Sequence, residues 1–191
     1  MDPEKRKIVL GIAGASGSIY AKMLLEKLQE MDPPLSEIAV IFSSTARDIW
    51  IDEIGRKYLP EGIAREYDND TYYAPFASGS SRFDTMIICP ASMGVIGKIS
   101  GGISGSLIAR TADVMLKEKR RLIIVPREAP YSLIHIDNMK KIALAGASIC
   151  PASPSFYSKP ESIEDLVMTV VDRIIDLAGF HNKSFRWMHN D

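Results

Sequence analysis

Short β-branched apolar runs alternating with helical stripes predict an α/β fold, a mainly parallel sheet covered by helices on both faces. The runs Ile8–Ile12, Ile38–Phe42, Thr85–Cys89 and Leu122–Val125 are continuous rather than alternating, as in strands buried on both faces. Segments of helical period separate them, and strand, helix, strand, helix order favours parallel pairing through right-handed crossovers. The first helix, Ile19–Met31, carries Tyr20, Leu24, Leu28 and Met31 on one stripe. Helices follow at Thr45–Ile54, Ser106–Lys119 and Leu133–Leu144, and a weaker fifth strand at Ala147–Cys150. A last helix, Ile163–Ala178, opens on Ser162 with Asp165 three residues on, a variant capping box, and closes at Gly179. Its apolar stripe is expected to cover the sheet or a neighbouring subunit. Tyr58–Arg82 has little periodicity of either kind and is read as a long irregular stretch that serves a site. Pro151–Pro160 is read the same way.

Size and composition narrow the class. A chain of 191 residues, set against a typical ~150 per domain, is read as a single domain spanning 1–191. The C-terminal helix and tail, about 162–191, are its elaborated edge and are expected at a subunit interface. Hydrophobic residues at 46% and charged residues at 25% describe a globular protein with a sizeable core. The charge balance, 23 basic against 24 acidic, excludes binding of nucleic acid by counterion release. The densest basic cluster, Lys117 to Arg121, is interrupted by Glu118. Cys89 and Cys150 end apolar runs and are too few for a disulfide scaffold, so they read as small buried hydrophobes. Neither a signal-peptide apolar region nor a window of ~20 apolar residues is present. The expectation is a cytoplasmic protein without membrane contact.

In an open parallel sheet, ligands bind outside the carboxyl ends of the strands. After the first run comes Gly11-Ile-Ala-Gly14-Ala15-Ser16-Gly17-Ser18, small residues that let backbone amides approach a phosphate or another electron-rich group at a helix N-terminus. A tight turn without ligand explains them as well. The glycines do not fall in G-x-G-x-x-G order, and no Gly-Lys-Ser/Thr follows. The second run ends in Ser43-Ser44 rather than an acidic residue, which favours a mononucleotide over a dinucleotide. After the third come Ser92-Met93-Gly94-Val95 and four further glycines. These accept a flat ring or a phosphate, or form a bent helix packed on a neighbour. After the fourth, two prolines brace Arg127 and Glu128 in Pro126-Arg-Glu-Ala-Pro130. Pro151–Tyr157 has the same braced character and presents a tyrosine hydroxyl. Lys117 and Arg173 lie on predicted helices, where solvated side chains are the plainer reading. His135, His181 and His189 lack metal-ligand spacing, so no metal is expected. Ser16 has neither an elbow motif nor an evident His–Asp pair, so no hydrolase triad is supported.

Taken together, Gly14-Ala-Ser-Gly17, Ala77-Ser-Gly-Ser-Ser81, Ala112-Asp-Val114 with Leu116-Lys117-Glu118, Val125-Pro-Arg-Glu-Ala-Pro130 and Ser155-Phe-Tyr157 resemble the flavin prenyltransferase family of the UbiX type. The resemblance runs from about residue 7 to 180. It implies a Rossmann-like, flavodoxin-like three-layer sandwich. It also implies a metal-independent reaction that joins the dimethylallyl group of dimethylallyl monophosphate to reduced FMN at N5 and C6. The product, prenylated FMN, would serve a UbiD-type decarboxylase.

By the same resemblance, Gly14, Ala15 and Ser16 form the flavin-binding turn, and Ser43, Ser92, Met93, Gly94, Val95 and Arg127 are further flavin contacts. Tyr157, Arg173, Lys117 and Arg110 surround the prenyl phosphate, and Glu53 and Glu128 handle protons, with Ser16 near the flavin N5. Tyr72-Tyr73 stands where many members carry a tryptophan, and Pro90-Ala91-Ser92-Met93 where Pro-Cys-Ser-Met is frequent. Closed homo-oligomers, commonly dodecamers with sites between subunits, are implied as well. Two other readings share the fold. An FMN-dependent cysteine decarboxylase would carry a catalytic histidine after the second strand and a Pro-x-Met-Asn string, both absent here. A non-catalytic FMN-binding decarboxylase subunit would have no use for a second phosphate pocket.

Overall fold

A computed structural model describes residues 6–182 and 184. Its six strands are β1 (Lys7–Ile12), β2 (Glu37–Phe42), β3 (Ala64–Asp68), β4 (Thr85–Ala91), β5 (Arg121–Pro126) and β6 (Ser148–Ile149). They form one sheet in the order β3-β2-β1-β4-β5-β6, and every pairing is parallel. The helices are α1 (Ser18–Gln29), α2 (Ser44–Ile54), α3 (Met93–Ser100), α4 (Leu107–Lys117), α5 (Leu133–Leu144) and α6 (Ile163–Leu177).

The continuous apolar runs arise because each strand feeds two cores. Ile8, Leu10, Ile12, Ile38 and Val40 pack with Leu24 and Leu28 of α1, Trp50 of α2 and Val171 and Ile174 of α6. Val9, Ile41, Met86 and Ile88 pack on the other face with Ile96 of α3, Ile108 and Met115 of α4 and Ile142 of α5. The α6 stripe thus covers the chain's own sheet, and the capping box of Ser162 and Asp165 forms as expected.

Four elements differ from the sequence reading. Within Tyr58–Arg82 lies β3, with the sequence Ala-Arg-Glu-Tyr-Asp, whose place at the sheet margin leaves only Ala64 buried and erases the apolar run. The same stretch carries a 3-10 turn, Pro75–Ala77, whose Phe76 is buried between the rings of Tyr67 and Phe83, with centroids 4.9 and 5.1 Å away. The stretch is an anchored margin rather than irregular chain. Met93–Ser100 forms a regular helix, capped by Ser92, in spite of Gly94 and Gly97. The strand expected at Ala147–Cys150 shrinks to the two residues of β6.

At the amino edge, Arg6 closes the fold. Its guanidinium donates to Asp84 at 2.9 and 3.0 Å, to the Thr85 hydroxyl at 2.8 Å and to the Ala178 carbonyl at 2.9 Å, and it lies 4.1 Å over the Phe180 ring. Partial burial pushes the Asp84 carboxyl up, but hydrogen bonds from Arg6 and Thr85 outweigh it, so its pKa lies below the usual value. A carboxyl depressed in the folded state stabilises above its unfolded pKa, and that stability is lost as pH falls through the folded value. Arg6→Ala is expected to cost about 1–3 kcal/mol at pH 7. In thermal melts the gap from wild type should narrow near pH 3. A gap independent of pH would remove Asp84 from the account.

Candidate functional site

The loop leaving β1 is held from both sides. The Ala13 amide donates to the Pro90 carbonyl at 3.1 Å, across the gap between β1 and β4. The chain leaves these two strands in opposite directions, so the crevice of a doubly wound sheet lies there. Gly17 caps α1 with φ 109°, a left-handed conformation that suits glycine. Gly14 is set by close approach, since a Cβ there would stand 2.8 and 2.9 Å from Cβ and Cγ2 of Thr45.

Thr45 belongs to α2, which starts at the carboxyl end of β2 with the Ser43 hydroxyl accepting from the Ala46 amide at 3.2 Å. Thr45, Ile49, Asp52 and Glu53 fall on one helical face. At the far end of α2, the Glu53 carboxylate accepts from the Gly17 amide at 2.9 and 3.1 Å and from the Ser18 amide at 2.7 Å. Burial pushes the Glu53 carboxyl up, but hydrogen bonds from the Ser16 hydroxyl and the Ser18 and Gly17 amides outweigh it and set its pKa below the ordinary value. The amides read in the sequence as a phosphate cradle are therefore held by the protein's own carboxylate.

The other wall comes from β4 and β5. Ser92 caps α3 through the Val95 amide at 3.4 Å. Met93 is buried, and Gly94 faces open space, its nearest outside atom being the Ser92 hydroxyl, 3.9 Å from a Cβ built there. Arg127 donates from Nε to the Ser16 carbonyl at 2.9 Å, and the Glu128 carboxylate accepts from the Ala129 amide at 3.0 Å.

Between these walls lies a cavity of about 450 Å³, lined by Gly14, Ala15, Ser16, Glu53, Ser92, Arg127 and Glu128. Ile49 and Asp52 line it too; the sequence reading missed them, although the 45, 49, 52, 53 spacing carries them. The volume lies within the ~300–1,000 Å³ of cofactor pockets. A cradle of small residues, with the terminal nitrogens of Arg127 unengaged among the described residues, fits a flat ring with acceptor atoms on its edge.

Tyr157 and Arg173 line a second, larger cavity of about 830 Å³ with Ser153, Ser155 and Lys159. It opens on the same edge, since the Ala152 amide donates to the Pro126 carbonyl at 3.0 Å, one residue before Arg127. The Cys150 thiol in its wall is pushed up by burial against the opposing pull of Arg173.

Arg110 and Lys117 join neither group. Arg110 donates to the Ala77 carbonyl and to Asp113, both at 3.2 Å, and Lys117 pairs with Glu118 at 3.4 Å. The end of α4 that holds Lys117 lies at the opposite edge of the sheet, where Arg120 donates to the Phe83 carbonyl just ahead of β4.

A family model described as Flavoprotein matches residues 1–175. The flavin prenyltransferase UbiX of Methanocaldococcus jannaschii is 42% identical over 184 residues, covering 95% of this chain and 98% of that protein. The chain belongs to the flavoprotein family. Among flavoproteins of known structure, AnUbiX (PadA1), in complex with FMN and dimethylallyl pyrophosphate, superposes with a TM-score of 0.85 at 37% identity, covering 98% of this chain and 100% of the other. A dodecameric, FMN-dependent UbiX-like decarboxylase from Escherichia coli O157:H7 gives 0.86 at 34% identity over 96% of this chain and 100% of the other.

Proposed function

We propose that this flavoprotein is a flavin prenyltransferase, joining the dimethylallyl group of dimethylallyl monophosphate to reduced FMN to make prenylated FMN. One observation carries the reading. A ring-sized cavity with a glycine-lined floor and a second cavity holding Tyr157 and Arg173 open on the same sheet edge, as the joining of a ring to a phosphate ester requires.

When bound, reduced FMN would supply the electron pairs at N5 and C6 that form the two new bonds to the prenyl group, the phosphate leaving with the pair of the broken carbon–oxygen bond and the proton lost at C6 balancing the one gained by the prenyl double bond. The chain's own residues do the rest. Gly14, Ala15, Ser92, Met93, Gly94 and Val95 let the backbone approach the ring, Ser43 supports the start of α2, and Arg127 donates to the ring edge. Glu53 fixes the Ser16 hydroxyl to receive the proton released at N5. Tyr157 and Arg173 hold the phosphate and stabilise charge as it develops there. Glu128, beside Arg127 in the same lining, takes part in handling protons around the phosphate and the ring.

Arg110 and Lys117 complete the phosphate pocket of a neighbouring copy, which explains their separation from both cavities of their own chain. The assembly is a homo-oligomer of the dodecameric kind seen in the E. coli relative, with α6 at an interface of this single-domain chain; the tail expected there too lies, beyond residue 184, outside the described residues. The product passes to a UbiD-type decarboxylase. The reading includes a cytoplasmic location, supported by two cysteines buried as free thiols. Among the described residues no helix is long and apolar enough to cross a membrane.

Anaerobic incubation with reduced FMN and dimethylallyl monophosphate, followed by mass analysis of the released flavin, tests the reading. A flavin heavier by one prenyl unit is expected. Tightly bound but unchanged FMN would favour a cysteine decarboxylase or a flavin-carrying subunit instead. Glu128→Gln is expected to keep bound FMN and to slow turnover roughly 100-fold or more, the range for a lost acid–base group. Loss of the flavin in that variant would mean Glu128 holds the ring instead.

A further inference from the structure

Among the carboxylates around the ring-sized cavity, one has no work in the folded chain. Glu53 is engaged by the Gly17 and Ser18 amides, and Glu128 by the Ala129 amide. Asp52 lines the same cavity without a hydrogen bond or ion pair among the described residues. Its placement is not free to change. Thr45 is wedged against Gly14 and Glu53 is tied to Gly17, so both ends of the α2 face are pinned. Asp52, one residue before Glu53 on that face, is carried by backbone that cannot turn away without breaking them. Against these three carboxylates the cavity lining offers a single cation, Arg127, so its occupant sits in a field of net negative sign.

We infer that Asp52 sets the charge preference of this cavity, disfavouring added negative charge on a bound flavin and favouring positive charge on the allylic carbon. The inference rests on the prenyl-transfer reading for the second half of that statement only. A flavin reduced by two electrons and left unprotonated at N1 carries one more negative charge on its ring than the oxidised form. A nearby carboxylate therefore weakens binding of the reduced form relative to the oxidised one and leaves its electron pair easier to donate. As the carbon–oxygen bond of the prenyl phosphate breaks, its electron pair leaves on the phosphate oxygen and positive charge grows on the carbon, which the same carboxylate stabilises. The N5 proton released when the new bond forms goes to the Ser16–Glu53 pair, so Asp52 neither gains nor loses one. Asp52 is exposed, and solvent limits the size of its effect.

The test compares Asp52→Asn, Asp52→Glu and Asp48→Asn with wild type. Asp48 lies on the same helix but outside the cavity lining. Dissociation constants for oxidised FMN, and for reduced FMN under anaerobic conditions, are read by fluorescence and absorbance titration. Asp52→Asn is expected to tighten reduced relative to oxidised FMN by roughly threefold to tenfold at low salt, as for one partly screened charge, with a smaller change at high salt. Its kcat for prenyl transfer should fall by a similar factor with KM for dimethylallyl monophosphate unchanged. Asp52→Glu should restore both, and Asp48→Asn should match wild type. An affinity ratio unchanged in Asp52→Asn, or shifted equally in Asp48→Asn, would overturn the inference. If wild type yields no prenylated flavin, the prenyl-transfer reading fails, while the affinity ratio still decides the role of Asp52.

Discussion

Lys117→Ala is expected to bind FMN as tightly as wild type and to transfer the prenyl group roughly 100-fold more slowly or worse, the penalty for losing a charge that stabilises a transition state. The first half follows from position. Lys117 ends α4, its ammonium pairs among the described residues with Glu118 at 3.4 Å, its side chain remains 49% exposed, and no described contact ties it to the β1–α1 loop or to Arg127. The second half follows if a neighbouring copy brings Lys117 to the cavity of Tyr157 and Arg173. Mixing makes the two halves separable. Lys117→Ala chains and Arg173→Ala chains, each inactive alone, should regain part of the activity when reassembled together, because some mixed sites then hold both native cations. Absence of recovery in assemblies shown to be mixed would place Lys117 and Arg173 in the same chain's site or outside it. Loss of flavin from Lys117→Ala would contradict the geometry of this chain outright.

Gly14→Val is expected to abolish FMN binding and to lower the melting temperature. Even the first carbon of a side chain would meet Cβ and Cγ2 of Thr45 at 2.8 and 2.9 Å, and the Cβ, fixed to the helix backbone, cannot retreat unless α2 or the loop moves. Such overpacking costs about 1–3 kcal/mol, which in a chain of this size lowers the melting temperature by roughly 2–12 °C. The functional loss is larger than the thermal one, because the displacement of α2 draws Glu53 from Gly17 and frees the loop that floors the cavity. Gly14→Ala should show the same pattern more weakly. Thermal melts and FMN titrations on both variants decide the matter, and a valine variant that retains flavin would show that the loop and α2 move independently.

The sequence discloses what burial writes into it. β1, β2, β4 and β5 are buried on both faces, so their composition is uniformly apolar and their order foretells a parallel sheet. β3 escapes because one of its sides has no neighbouring strand. Residues such as Arg65, Glu66 and Asp68 satisfy that position and erase the alternation. In α3, Gly94 and Gly97 depress helix propensity, yet Gly97 gives Asn138 room to approach, its amide nitrogen lying 3.6 Å from a Cβ built there. At the site, the residues following the strands were legible from position alone. The hold of Glu53 on Gly17 was not, since it joins groups 36 residues apart and no local pattern encodes it. Asp52 was within reach, because helical spacing sets it beside Glu53 once Thr45 is known to face the loop. Arg110 and Lys117 came from resemblance, and this chain alone gives no reason for their separation.

The two margins of the sheet limit how copies of the chain can meet. An exposed strand edge is an invitation to further strands unless it is short or charged. β6 offers two residues, and β3 carries three charged residues in its five, so neither extends readily into a shared sheet. Contact between copies would therefore fall to the helical surfaces, where Leu133, Ile134 and Leu144 of α5 face outward, and would leave each ligand crevice on the sheet's carboxyl edge free of intruding strands.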